Sequence, residues 1–317
     1  MSSKSTPSIT IISITGHQDY AQGSAYAIER SYTELQKKLP KDSLSCILVS
    51  PTQPENLPEY IMHLACKPFS YLEYNLFILY ALDQLVETDF ALIVQNDGFV
   101  VDGNNWRDEF FDYDYIGAPV YGMYEVLENG IVKNHQGDEC KKYLNDMPDN
   151  FIDVQNGGFS LRSKKLLGMP RKLGIKWQVN IPKFFSAQPL SLDFESISHN
   201  EDMYLCVMIR NQLLAQGIRF APVKIACYFA CESTTVHQAL DIPRKQVLGC
   251  HAFGHLVLTS AKKLYMAKKL RMSQNNPATN ALCNWLLGTD LSIDVPKAFL
   301  KDDTSGQDKK SNQGNNA

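Results

Sequence analysis

Three short apolar runs, separated by a helical stripe and a helical segment, constrain this chain more than any other feature. "SITIISIT" (Ser8 to Thr15) is rich in β-branched residues and stops at Gly16-His17, as a buried strand does. From Ala21 to Leu39 the apolar positions Ala25, Ile28, Tyr32, Leu35 and Leu39 fall on one helical stripe, closed by Pro40. "SCILVS" follows as a second apolar run and ends at Pro51. Strand, helix and strand in that order predict a βαβ unit and a parallel sheet. A further helix is expected over about Ser70 to Val86, then a third strand at Ala91 to Val94. The fold class is therefore α/β: a Rossmann-like, mostly parallel sheet flanked by helices.

Downstream the pattern loosens. Residues 121 to 150 read as loop, with Gly122, Gly130, Gly137 and Pro148. "DVQNGGFSLRSKKLL" predicts a short strand, a glycine pair and a helix start. "HNEDMYLCVMIRNQLLAQG" predicts a helix stopped by Gly217, and "IRFAPVKIACYFACE" reads as strand-like. At 317 residues and 44% apolar, the chain can bury one large core. The expected division is a flexible N-terminus at 1–8, a single catalytic domain at 9–256, a helical extension at 257–300 and a disordered tail at 301–317. The tail, "KDDTSGQDKKSNQGNNA", offers almost nothing to bury.

The net charge of -3 argues against a nucleic-acid partner. Eight scattered cysteines form no CxxC pair, and no second pair joins Cys227 and Cys231 to complete a zinc site. Such thiols suit a reducing compartment. No signal core or membrane-length apolar window is present, so a cytoplasmic location is expected. Residues 257–270, "VLTSAKKLYMAKKL", carry Lys262, Lys263, Lys268 and Lys269 beside apolar residues. They fit a basic amphipathic helix, either packed with a solvated lysine face or docked peripherally on the inner face of a membrane.

Candidate chemistry starts at "ALIVQNDGFVVD", where a buried strand ends in Gln95-Asn96-Asp97-Gly98. In open α/β sheets, ligands bind beyond the carboxyl ends of the strands. Asp97 is a hard oxygen ligand suited to Mg²⁺ or Mn²⁺, and such an ion fills its other positions from phosphate and water. Gly98 would let backbone approach a phosphate. The bland alternative is a turn, for which Asn-Asp-Gly is ordinary chemistry. Glu201 and Asp202 stand at a predicted helix start, either complementing the helix dipole or supplying a general base. "GCHAFGH" adds His251 and His255, one of which could face the ion opposite Asp97.

"W-x-x-x-F-x-x-Y-D-Y-I-G-A-P" (from Trp106), "N-G-G-F-S-L-R-S" (from Asn156), "NEDMYLC", "GIRFAP" with "ACYFACE", and "LGCHAF" occur in one order. Together they resemble a family of bacterial glycosyltransferase-like domains catalogued mainly as a domain of unknown function. That family looks like a divergent relative of the GT-A nucleotide-sugar transferases. The resemblance covers about Ile9 to Phe253. It implies that Gln95-Asn96-Asp97-Gly98 takes the place of the Asp-x-Asp metal motif, with Gln95 at the first acidic position. It implies that Asn156, Gly157 and Gly158 form an acceptor and donor loop, with Arg162 near the phosphates. Glu201-Asp202 would carry the catalytic base, with Asp202 preferred. His251 would close the metal site, and Thr15, Gly16 and His17 would grip the nucleotide.

The expected activity is transfer of a sugar from a UDP- or GDP-linked donor to a glycan or other hydroxyl acceptor. It would depend on Mn²⁺ or Mg²⁺, proceed with inversion, and serve cell-surface polysaccharide or glycoconjugate synthesis. Two other readings stay open: a catalytically weak nucleotide- or glycan-binding module, and a nucleotidyltransferase. The last usually needs several metal carboxylates and a phosphate loop; no GxxxxGK[ST] or GxGxxG is present.

Overall fold

The structure, a computed structural model, describes residues 6–127, 132–136, 140, 142–144, 146–177, 200–232, 234–252, 255–267 and 277–296. Its centre is a seven-stranded sheet of order β3-β2-β1-β4-β8-β6-β7. These strands are β1 (Ile9–Ile14), β2 (Leu44–Ser50), β3 (Ile61–Ala65), β4 (Phe90–Ile93), β6 (Tyr115–Val126), β7 (Val132–Gln136) and β8 (Phe151–Ser163). The first four in spatial order are parallel; β8 runs against β4, β6 against β8 and β7 against β6. Five of the seven strands thus share one direction.

The alternation of β1 shows why the sheet is covered on both sides. Ile9 and Ile11 join the core under α1 (Gln18–Leu35), with Ala25, Ile28, Tyr32 and Leu35. Ile12 and Ile14 join the opposite core under α2 (Tyr71–Tyr80), with Tyr74 and Ile78. Successive side chains of a strand point to opposite faces, so a run of isoleucines is stable only between two layers. The start of α2 is fixed by a capping box: the Ser70 hydroxyl accepts from Glu73 N, and the Glu73 carboxylate accepts from Ser70 N.

Several sequence expectations need correction. The strand β3 was not foreseen; its pattern, half-exposed at Met62 and His63, is that of a sheet edge. Within 121–150, β6 and β7 form a hairpin where a loop was expected. "PVKIACYF" is a helix, Val223–Phe229, and only Ala230–Cys231 (β9) is extended. The helix after Glu201 is broken: Glu201–Met203 is followed by a π turn at Tyr204–Met208 before Arg210–Ala215. Gly217 does end it, at φ +69°.

The expected basic helix at 257–270 is instead a hairpin of β11 (Leu256–Ser260) and β12 (Lys263–Met266), joined by β13 (Ser292–Asp294). With alternating faces, Leu258, Leu264 and Met266 are buried while Lys263 pairs with Asp294, so the helical face proposed for membrane docking does not exist over 257–267. A helix of the extension lies later, at Pro277–Leu287. Ser8, placed in the flexible N-terminus, is anchored to Asp89 through both its backbone N–H and its hydroxyl. Residues 1–5, 268–270 and the tail at 301–317 lie outside the described residues. Among the described residues no helix is long and apolar enough to cross a membrane.

Candidate active site

The chain after β4 turns back at once. Gln95 and Gly98 exchange two backbone hydrogen bonds, of 2.8 and 2.9 Å, and Asn96 and Asp97 fill the turn between β4 and β5 (Gly98–Val100). The turn and the functional reading of this stretch are therefore compatible: the turn is the device that presents Asp97. Asn96 and Asp97 keep negative φ, so this is not the left-handed turn that Asn-Gly hairpins use.

The turn borders a cavity of about 910 Å³ at the carboxyl ends of β1 and β4. Thr15, Gly16, His17, Gln95, Asn96 and Asp97 all line it. His17 is the N-cap of α1, its ring accepting from Asp19 N, so the helix opens onto the cavity with its positive end. The sequence did not announce the rest of the wall. Tyr20, Tyr26, Phe69, Tyr71 and Tyr74 form an aromatic side, and Val257, Leu258 and Thr259 of β11 close another. Leu258 N donates to Asn96 O, so the C-terminal extension is built onto the turn itself.

His251 ends β10 (Gly249–His251), which pairs with β5 and brings it opposite Gly98. Its Nε2 lies 3.9 Å from Asp97 Oδ2, and its Nδ1 lies 3.4 Å from Glu232 Oε2. Burial would strip the imidazole of its proton, but the Asp97 and Glu232 carboxylates more than offset this and raise its pKa to about 9. Glu232 is the last residue of the "ACYFACE" stretch, but the sequence assigns it no role because nothing there shows that it meets His251.

The glycine pair has a sharper role than a loop. Residues 156–158 lie inside β8, where the pairing with β6 shifts register. A Cβ on Gly157 would stand 2.0 Å from Glu201 Oε1, and one on Gly158 would stand 2.5 Å from His251 Nε2 and 2.6 Å from Gln95 Oε1. Gly98 meets Gly158 O and the His251 ring in the same way, so internal packing alone excludes a side chain there. Asn156 turns its Oδ1 back to accept from Gly158 N. None of Gly98, Asn156, Gly157, Gly158 and Arg162 lines the cavity.

Arg162 is fully buried and forks onto Glu201, with Nη1 donating to Oε2 at 2.6 Å and Nη2 to Oε1 at 2.8 Å. It therefore does not face phosphates. Burial disfavours its charge, yet Glu201 holds its pKa above the ordinary value. Glu201 is spent on this pair and its own N–H donates to Asn75 Oδ1. The neighbouring Asp202 is the freer acid. It accepts from Gly157 N at 3.1 Å and Met203 N at 2.6 Å. Burial first, then repulsion from Glu201, outweigh these bonds and raise its pKa to about 6. Asp202 and His251 thus flank the glycine pair, one at Gly157 and the other at Gly158, and neither is among the residues that line the cavity. The backbone N of His255 donates to Ala252 O.

The donor set fits a divalent ion. Ligands on one ion lie about 2.0–2.2 Å from it, hence no more than about 4.4 Å apart, and Asp97 and His251, 3.9 Å apart, fall within this. A carboxylate behind the far ring nitrogen is the usual companion of a metal-binding histidine. No group of three His, Cys, Asp or Glu forms a closed metal cage among the described residues. Two protein ligands would leave the other positions to phosphate and water. The cysteines offer no rival site: burial raises the thiol pKa values, to about 12 at Cys46, Cys206 and Cys231.

Residues 68–251 match the family described as "Protein of unknown function (DUF5672)", and the chain belongs to that family. No curated protein matches the sequence. Among solved structures, a mannosyltransferase from Pyrobaculum calidifontis, PcManGT, in complex with GDP-Man and Mn²⁺, is similar at 10% identity and a TM-score of 0.36. That match covers 68% of this chain and 54% of the other, so the chain spans about half the length of that enzyme. The galactosyltransferase LgtC, in complex with donor and acceptor sugar analogues, is similar at 13% identity and a TM-score of 0.40, covering 92% and 99% of the two chains. Likeness at this level transfers no residue roles.

Proposed function

We propose that this protein is a divalent-cation-dependent glycosyltransferase that moves a sugar from a nucleotide-sugar donor to a hydroxyl acceptor. The observation that carries this reading is the pairing of Asp97 with His251 beside a 910 Å³ cavity at the carboxyl ends of β1 and β4. The cavity is large enough for a nucleotide and has aromatic walls for a base. The described residues that line it include no Lys or Arg, yet a diphosphate brings negative charge beside Asp97 and Asp19. A bound Mn²⁺ or Mg²⁺ would supply that missing positive charge as the diphosphate leaves. The imidazole in the donor set favours Mn²⁺ over Mg²⁺.

Asp97 and His251 would hold the ion, and the open end of α1 would add positive potential near the phosphates. The aromatic side of the cavity would hold the base and keep water from the reacting bond. Asp202 would take the proton of the attacking hydroxyl. Its raised pKa keeps it mostly ionised at neutral pH while making it a better base than an ordinary aspartate. A base at that position fits inversion. Free cysteines, buried except for Cys66, fit a reducing, cytoplasmic compartment. Surface-glycan or glycoconjugate synthesis is the process this chemistry suits.

The experiment is a panel of UDP- and GDP-sugars with Mn²⁺, read by thermal shift and by released nucleoside diphosphate. A donor that raises the melting temperature only with metal, and is then turned over, supports the proposal. The second reading, a binding module, draws on Gln95 at the first acidic position and on the commitment of Glu201 to Arg162. Metal-dependent binding with no nucleoside diphosphate released, even with acceptors present, would favour it.

A further inference from the structure

β9 and β10 are parallel neighbours, with Ala230 beside Gly249 and Cys231 beside Cys250. One residue further, the same register sets Glu232 beside His251. The Glu232 side chain is about nine-tenths buried, and its Oε2 lies 3.4 Å from Nδ1 of His251. That oxygen accepts no hydrogen bond of good geometry among the described residues. A buried carboxylate is costly unless a positive or proton-bearing partner meets it, and the His251 ring is the partner in reach.

The ring has two faces of different use. Nε2 points to the Asp97 side, in the cradle left by the missing Cβ atoms of Gly98 and Gly158. Nδ1 faces Glu232, 3.4 Å from its Oε2. We infer that Glu232 is a positioning residue. Its carboxylate accepts the Nδ1 proton of His251, fixing the tautomer and ring angle that present the Nε2 lone pair to the ion shared with Asp97. This rests on the metal-dependent reading above. It adds to that reading a residue which never touches the ion and on which the ion's affinity depends.

The test is direct Mn²⁺ binding, by electron paramagnetic resonance of free Mn²⁺ and by calorimetry, on the full chain and on Glu232→Gln and Glu232→Ala. Melting temperatures of the metal-free proteins report the fold. Loss of such an outer carboxylate typically weakens metal affinity ~10–100-fold. Glu232→Ala should show that loss. Glu232→Gln keeps an oxygen facing Nδ1 and should fall between wild type and Glu232→Ala. Wild-type affinity in both variants would overturn the inference. Equal loss in both would overturn it too, because charge rather than orientation would then explain Glu232. If Glu232→Ala does not fold, Glu232→Gln decides: weaker binding supports the role and unchanged binding removes it. A wild-type protein that binds no Mn²⁺ would end the metal-dependent reading and this inference together, an outcome distinct from the others.

Discussion

Arg162 and Glu201 form a forked ion pair inside the protein, and the Cα of Gly157 lies against it with no room for a side chain. This relationship separates two adjacent acids that look equivalent in the sequence. The Glu201 carboxylate is engaged by Arg162, while Asp202 accepts only from the Gly157 and Met203 backbone N–H groups and is the acid proposed as the base.

Glu201→Gln should destabilise the fold by ~3–5 kcal/mol, because the Arg162 charge would remain buried without its partner. Urea denaturation at neutral pH measures this. A change below ~1 kcal/mol would mean that the pair is solvated or replaceable.

Asp202→Asn should lower kcat at least ~10²-fold while the protein stays folded. In the wild type, kcat/KM should rise with pH through an apparent pKa near 6, since only the ionised carboxylate accepts a proton. The linkage has a definite sign. The folded pKa lies above the ordinary aspartate value of 3.8, so the protonated form contributes stability that is complete below about 4 and is lost as pH rises through about 6. Asp202→Asn should remove that part of the stability profile, and an unchanged slope between pH 4 and pH 6 would count against the assignment.

Much of the fold was legible in the sequence, and the reason is visible in β1 and α1. An unbroken isoleucine-rich strand needs two covering layers, and a helical stripe supplies one of them. The strand β3 and the hairpin at 256–266 were not legible, because edge strands mix exposed and buried positions and "VLTSAKKLYM" satisfies helical and extended patterns alike. At the site, only the family resemblance singled out His251 from His255, whereas Asp97 could be named because its residue type and its place after a buried strand suit a ligand. Glu232 could not, since only the β9–β10 register brings it to His251. Gly157 and Gly158 were seen as a motif, but their purpose, to let two buried side chains approach, is a fact of three-dimensional packing.

The two glycines should fail differently when replaced. Gly157→Ala drives a methyl into Glu201 and Arg162 and should chiefly lower stability. Gly158→Ala drives it into His251 Nε2 and Gln95 Oε1 and should chiefly weaken Mn²⁺ binding, by ~10-fold or more. Thermal melts and metal titrations on both variants would show whether the effects separate. Identical profiles would contradict this division.

His251 carries its proton up to about pH 9 in the metal-free protein, so an ion must displace it. Calorimetry at pH 7 in buffers of different ionisation enthalpy should show about one proton released per Mn²⁺ bound. Affinity should tighten as pH rises toward 9. Binding without proton release would place the ion away from His251.

The central claim is that Asp97 anchors a cation which in turn holds the donor. The most direct measurement is calorimetric titration of a nucleotide-sugar that binds the wild type, with and without Mn²⁺, repeated on Asp97→Ala. The expected result is strong binding only for the wild type with metal, and at least ~10-fold weaker binding for Asp97→Ala under the same conditions. Equal donor affinity in the two proteins with Mn²⁺ present would contradict the account.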